Sequence, residues 1–190
     1  MSPRKKEANI LLQERSRRKI LNAAFELFGK YGYSQTSAMM IAKKAKISKG
    51  LIYHYFRSKQ EVLKGVFILM DEESSRLIQF GEKLPPREFL KYLIDFFVDF
   101  IIKNNKINRI SIALTAQPAV IKGLRKEIEQ KRDQWFKILI RGLAEMGYED
   151  PETEAYLLGA ILDGIGLGYI SMEGYPLKRI QKLFMIKYDL

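Results

Sequence analysis

Apolar residues recur at three- and four-residue spacing along almost the whole chain, a period that fits one face of an α-helix rather than the alternation of a half-buried strand. Gly, Pro, Ser and Asn positions that start or stop helices separate these runs, and no repeat or low-complexity tract interrupts them. The pattern predicts an all-α protein of about nine helices. A first helix places Ile20, Ala24, Leu27, Phe28 and Tyr31 on one face and stops at Gly32, where a missing Cβ suits a left-handed cap. A short second helix follows Thr36-Ser37, with Ile41 and Ala45 inward, and Lys46-Ile47 makes a tight turn. Ser48 can cap a third helix of about two turns carrying Ile52 and Phe56, and Ser58 to Glu61 has the form of a capping box opening a fourth. Beyond Pro85-Pro86 five further helices reach Tyr188, with breaks at Asn104-Asn105, before Pro118, at Gly147 and at Gly174.

Composition narrows what such a bundle can do. The 190 residues are 47% hydrophobic and include no Cys, so the chain can bury a core without a disulfide or metal staple. It has no thiolate nucleophile and no Cys-ligated metal. With one His, no glycine-rich phosphate loop and no standout pair of acids, no enzyme activity, metal or cofactor is expected. The net charge of +11 is concentrated: residues 1–60 hold 14 basic and three acidic side chains, and residues 61–190 hold 19 of each. A compact positive segment on a neutral body suggests a module for a polyanion, with DNA, RNA and an anionic membrane as candidates. Residues 1–15, with Arg4, Lys5, Lys6 and Arg15, read as a mobile basic arm, 16–60 as the module and 61–190 as the body. Ile10-Leu11-Leu12 is too short for the core of a secretory signal. Ala155 to Met172 contains Asp163 and four glycines, which reads as a buried helix rather than a membrane span. A cytoplasmic protein with no membrane partner is therefore expected.

Two short helices separated by a turn, with a basic, hydroxyl-rich start to the second, describe a helix-turn-helix. The free N–H groups at the start of the third helix make Ser48, Lys49 and Gly50 natural contacts for phosphate or a groove edge. Gly50 lowers helix stability by about 1 kcal/mol relative to Ala, and close approach of backbone to DNA is a reason to tolerate it. Tyr53, His54 and Tyr55 supply flat, hydrogen-bonding side chains just beyond. His54 lacks a neighbouring nucleophile or carboxylate in sequence, so DNA contact or simple exposure explains it better than catalysis.

Gly32-Tyr33, Thr36-Ser37, Ile41-Ala42, Ala45, Ile47 to Gly50, Tyr53 to Phe56 and Ser58-Lys59 together resemble the DNA-binding signature of the tetracycline-repressor (TetR) family over residues 16–64. The departure is Lys46, where the family usually has Gly; a non-Gly residue must then adopt or approach the left-handed region. The resemblance implies a homodimeric transcriptional regulator, usually a repressor, that binds double-stranded DNA at a palindromic operator and is released by a small hydrophobic inducer. Carried over by position, it places Thr36 and Ser37 on phosphate at the second helix. It places Ser48, Lys49, Gly50, Leu51, Tyr53 and His54 in the major groove or on its walls, with Tyr55 and Lys59 clamping the backbone. The charge distribution alone also permits a non-specific DNA-organising or RNA-binding protein, against which the large neutral body argues.

In the body, an apolar pocket is expected among the helices carrying Phe97, Phe100, Trp135, Leu139 and Tyr169, since bulky aromatics and several glycines can leave a cavity. The same aromatics at helical spacing also read as core. Asp163 reads either as a paired structural acid or as a ligand anchor favouring a cationic or hydrogen-bonding molecule. The last two helices are expected to build the dimer through Leu158, Leu162, Ile165, Leu177, Ile180 and Phe184, whose apolar faces one subunit would leave uncovered.

Overall fold

The computed structural model describes residues 3–81 and 83–190, and the side chains among them except those of 3–7, 9, 73, 74 and 78. The described residues form nine α-helices and no strand: α1 Pro3–Tyr31, α2 Ala38–Ala45, α3 Lys49–Tyr55, α4 Lys59–Gly81, α5 Pro86–Lys103, α6 Asn105–Thr115, α7 Pro118–Glu145, α8 Pro151–Ser171 and α9 Leu177–Lys187. Their ends follow from local chemistry. Gly32 (φ 84°) and Gly147 (φ 90°) take the left-handed conformation just past α1 and α7, where a Cβ would strain the cap. Pro86, Pro118 and Pro151 open α5, α7 and α8, at positions where the missing N–H has no helical partner to lose. Asp150 caps α8 by accepting from the Thr153 N–H at 3.1 Å, and that bond holds its carboxyl below the usual carboxylate range. α1 begins at Pro3, so the described part of the segment expected as a mobile arm over 1–15 is helical.

The chain divides into two compact units, Met1–Asp71 with Ala113–Arg125, and Glu72–Ile112 with Lys126–Leu190. The division falls inside α4 after Asp71, eleven residues beyond the boundary at 60/61 expected from charge, and the corner between α6 and α7 joins the basic module. In the first unit the buried residues include Ile20, Ala24, Leu27 and Phe28 of α1, Ile41 and Ala42 of α2, Ile52 of α3, Phe56, Val62, Leu63 and Val66 around α4, and Leu114, Val120 and Leu124 from the corner. Tyr31, expected on the inner face, is exposed. Gly65 lets α4 approach closely: a Cβ there would come 2.7 Å from Leu21 Cδ2 and 3.2 Å from the Phe56 ring.

The second unit is organised around α5, which packs against α8 and α9. Its core contains Phe89, Leu93, Ile94, Val98 and Ile101 of α5, Ile138, Leu139 and Leu143 of α7, and residues of α8 and α9 including Leu158, Ile165, Leu177 and Phe184. This corrects the expected dimer surface. Leu158, Ile165, Leu177 and Phe184 are at most 5% exposed, so one subunit already covers these four, while Leu162 and Ile180 are half-buried against the same core. Tyr188 closes the unit, fully buried, with its hydroxyl donating to Glu154 Oε1 at 2.8 Å. No helix among the described residues is long and apolar enough to cross a membrane.

Candidate nucleic-acid interface

The helix-turn-helix is fixed by hydrogen bonds that its sequence encodes locally. Ser37 Oγ accepts from the Met40 N–H at 3.2 Å and starts α2; Ser48 Oγ accepts from the Leu51 N–H at 3.2 Å and starts α3. Between them Lys46 adopts φ 56°, ψ 49°, the left-handed conformation its position requires. The Ile47 N–H reaches back to the Ala42 carbonyl at 3.1 Å, which closes α2 in a Schellman arrangement and turns the chain toward α3. At the start of α4, Ser58 Oγ accepts from the Glu61 N–H at 3.1 Å and Glu61 Oε2 accepts from the Arg57 N–H at 2.6 Å, a pair of bonds that sets where α4 begins.

This frame turns one side of α3 inward and leaves the other free. Ile52 and the following Phe56 are each 2% exposed, and the Arg17 guanidinium lies 4.7 Å from the Phe56 ring centroid. Ser48, Lys49, Gly50, Tyr53 and His54 are exposed, and Leu51 and Tyr55 are half-buried. Lys49 Nζ stands 5.9 Å from the Tyr53 ring centroid, and His54 meets Tyr55 edge to face at 5.2 Å. Nothing lies within 4 Å of where a Gly50 Cβ would be, so no internal contact demands glycine there.

Two residues expected at phosphates are turned inward instead. Thr36 is 1% exposed, and its hydroxyl is held at the carbonyls of Gly32 (2.8 Å) and Leu27 (3.2 Å), which ties the loop to the end of α1. Lys59 Nζ donates to the carbonyls of Tyr33 (2.9 Å), Thr36 (3.1 Å) and Ser34 (3.2 Å) and lies 4.5 Å from the Tyr33 ring centroid. Both side chains are engaged by the protein because the α1–α2 loop leaves several carbonyls without helical partners, and a hydroxyl and an ammonium satisfy them. Partial burial pushes the Tyr33 phenol above its ordinary pKa.

Sequence reasoning missed Gln117. From the corner between α6 and α7, its Oε1 accepts the Tyr33 N–H at 2.7 Å while Nε2 donates to the carbonyls of Ala113 (2.9 Å) and Phe28 (3.4 Å). It completes the end of α1 from 84 residues away, and nothing local to either segment signals the pairing.

In the second unit, Leu139 is buried, and Phe97, Phe100, Trp135 and Tyr169 pack against the core. Trp135 stacks on Phe89 at 6.4 Å, and of the side chains expected as pocket walls Tyr169 also lines a cleft at the surface. Asp163 on α8 is exposed, and partial desolvation of its carboxyl raises it above the usual range.

A helix-turn-helix with an exposed basic and aromatic face has the geometry of a DNA-binding module. Residues 20–66 match the family model for bacterial regulatory proteins of the tetR family. The HTH-type transcriptional regulator UidR of Escherichia coli K12 is 36% identical over 83 residues, 44% of this chain and 41% of the relative. The chain thus spans about two fifths of that relative's length. Among solved structures, the transcriptional regulator FadR from Bacillus subtilis, in complex with stearoyl-CoA, superposes with a TM-score of 0.73 at 18% identity, covering 90% of this chain and 96% of the other. NalD, the secondary repressor of the MexAB-OprM multidrug efflux pump in Pseudomonas aeruginosa, gives a TM-score of 0.74 at 19% identity, covering 93% and 96%. The similarity to the tetR family of bacterial regulatory proteins is thus carried by the N-terminal module, residues 20–66.

Proposed function

We propose that the chain is a transcriptional regulator that binds a palindromic operator as a homodimer and is released by a small apolar inducer. The observation that carries this reading is the outward face of α3. Lys49, Tyr53 and His54 are free to meet a groove while Ile52 and Phe56 fix the helix beneath them. Ser37, Ser48, Gly50, Leu51 and Tyr55 complete the contact set, and Thr36 and Lys59 act by holding the loop that carries it. The first unit takes the DNA-binding role, and the second takes dimerisation and ligand binding. α8 and α9 supply the dimer surface, but through Leu157, Leu167, Leu183 and Ile186, which are 43% to 67% exposed. Small residues Ala160 and Gly164 lie between the two α8 leucines and permit close helix approach.

Footprinting on genomic fragments tests the reading. The expected result is one protected palindrome whose affinity falls with salt at a log–log slope of about −0.9 per neutralised phosphate. Uniform protection of random DNA, or binding indifferent to salt, would overturn it.

A further inference from the structure

A cleft of about 380 Å³ opens in the second unit where the end of α5, the end of α8 and the start of α9 meet. Its volume lies within the roughly 300–1,000 Å³ of small-molecule sites, and it is a shallow cleft, largely open to solvent. A second depression, beside Arg76, Phe80 and Tyr92, holds about 280 Å³ and falls short of that range. Ile102, Leu177 and the rings of Tyr169 and Tyr175 give the larger cleft its apolar surface, and Lys178 and Arg179 stand at its edge. One wall is set by a close approach of backbone to ring: the Tyr175 ring occupies the space a Cβ on Gly168 would fill.

The two charged residues that line the cleft, Lys178 and Arg179, are both basic, and Asp95 lies beyond them, accepting from Gln181 Nε2 at 2.7 Å. None of its lining residues is acidic. α9 begins behind Pro176 without a side-chain cap, so the positive end of the helix adds to the two cations. Lys178 Nζ already donates to Gln181 Oε1 at 3.2 Å, whereas the Arg179 guanidinium has no hydrogen-bond or ion-pair partner among the described residues.

We infer that this cleft binds a small apolar carboxylate, its body against Tyr169, Tyr175 and Ile102 and its two oxygens on the planar fork of Arg179. This is the opposite charge preference to the one Asp163 suggested from sequence, and Asp163 takes no part in the cleft. The role of the cleft as an effector site rests on the regulator reading; the binding itself does not.

The full-length protein is titrated with cinnamate and with octanoate by calorimetry and ligand-observed NMR, with cinnamamide as the neutral control and phenyl phosphate as the rival anion. Saturable carboxylate binding is expected, weakened about tenfold by removing the ligand charge or by Arg179→Gln. Ile102→Trp, at a position 40% exposed and so tolerant of bulk, fills the cleft and should abolish binding with the helical circular dichroism intact. Equal affinity for cinnamate and its amide, unchanged binding by Ile102→Trp, tighter binding of phenyl phosphate, or no saturable binding of either carboxylate would each overturn the inference. Operator affinity is measured on the same preparations. Loss of specific DNA binding with intact carboxylate binding removes the regulator reading alone, and the converse removes the cleft alone.

Discussion

Lys59→Met separates a structural lysine from a phosphate-binding one. In the structure Lys59 Nζ lies 2.9, 3.2 and 3.1 Å from the carbonyl oxygens of Tyr33, Ser34 and Thr36. A hydrogen bond to a charged group contributes about 1.5–3 kcal/mol when sheltered from water. Lys59 is only half-buried, so water replaces part of each bond, and the three together are discounted to about 2 kcal/mol. Methionine keeps the apolar stem over Tyr33 and removes only the donors. At about 2–4 °C per kcal/mol for a chain of this size, the melting temperature should fall by roughly 4–8 °C. Operator affinity should fall modestly, because the loop that carries Ser37 loosens, while its salt slope stays unchanged. A lysine on phosphate behaves in the reverse way: stability holds and the slope flattens by about one unit. Thermal unfolding and binding at several salt concentrations, on one preparation, read both quantities. An unaltered melting temperature with a flattened slope would refute the structural role.

Gly50→Ala should stabilise the free protein by up to about 1 kcal/mol, since its Cβ meets nothing within 4 Å, yet weaken operator binding about tenfold; unchanged DNA affinity would mean that the backbone of α3 does not approach DNA closely. Glu154 accepts from both Lys187 Nζ and the Tyr188 hydroxyl at 2.8 Å, and the lysine bond chiefly holds its carboxyl below the usual range. The stabilisation is therefore complete above the ordinary glutamate value near 4.5 and lost as pH falls through the lower folded value, and Glu154→Gln should remove that part of the acid dependence in urea titrations at stepped pH. Gly168→Ala should cost about 1–3 kcal/mol, because the Tyr175 ring must move, and a neutral result in chemical denaturation would refute the close approach. Leu167→Arg should give a folded monomer by sedimentation, whereas Leu162→Arg should lower the melting temperature sharply by charging the core; equal outcomes for the two would refute the division of faces.

What was legible in the sequence was local. Ser37, Lys46, Ser48 and the Ser58–Glu61 box each act within five residues of their partners, so the helix-turn-helix could be drawn from caps and turns alone. Thr36 and Lys59 were placed correctly on the loop and at the start of α4, but not in their roles. Whether a hydroxyl or an ammonium faces solvent depends on which carbonyls the fold leaves unpartnered, and for Lys59 those lie 23 to 26 residues away. Gln117, across 84 residues, left no local mark at all.

α8 shows why apolar spacing could not say which face of a helix the subunit buries. Leu157, Leu158, Ile161, Leu162, Ile165 and Leu167 surround the helix, so apolar spacing cannot say which side turns inward. Packing decides. α5 and α9 take the side with Ala155, Leu158 and Ile165, together with the backbone of Gly166, where Asn108 Nδ2 donates to the carbonyl at 3.3 Å. Leu157 and Leu167 are then left outside, with Leu183 and Ile186 of α9 also unburied. A helix that is apolar on all sides but covered by its own chain on one side retains an aqueous cost on the other, at about 25 cal/mol per Å² of exposed apolar surface. In the proposed dimer a second copy of the same pair of helices would remove that cost through a self-complementary contact, since a two-fold axis would set each exposed leucine row against its own image. The residues that fold the subunit and those that would pair it thus alternate along one helix, and only the fold tells them apart.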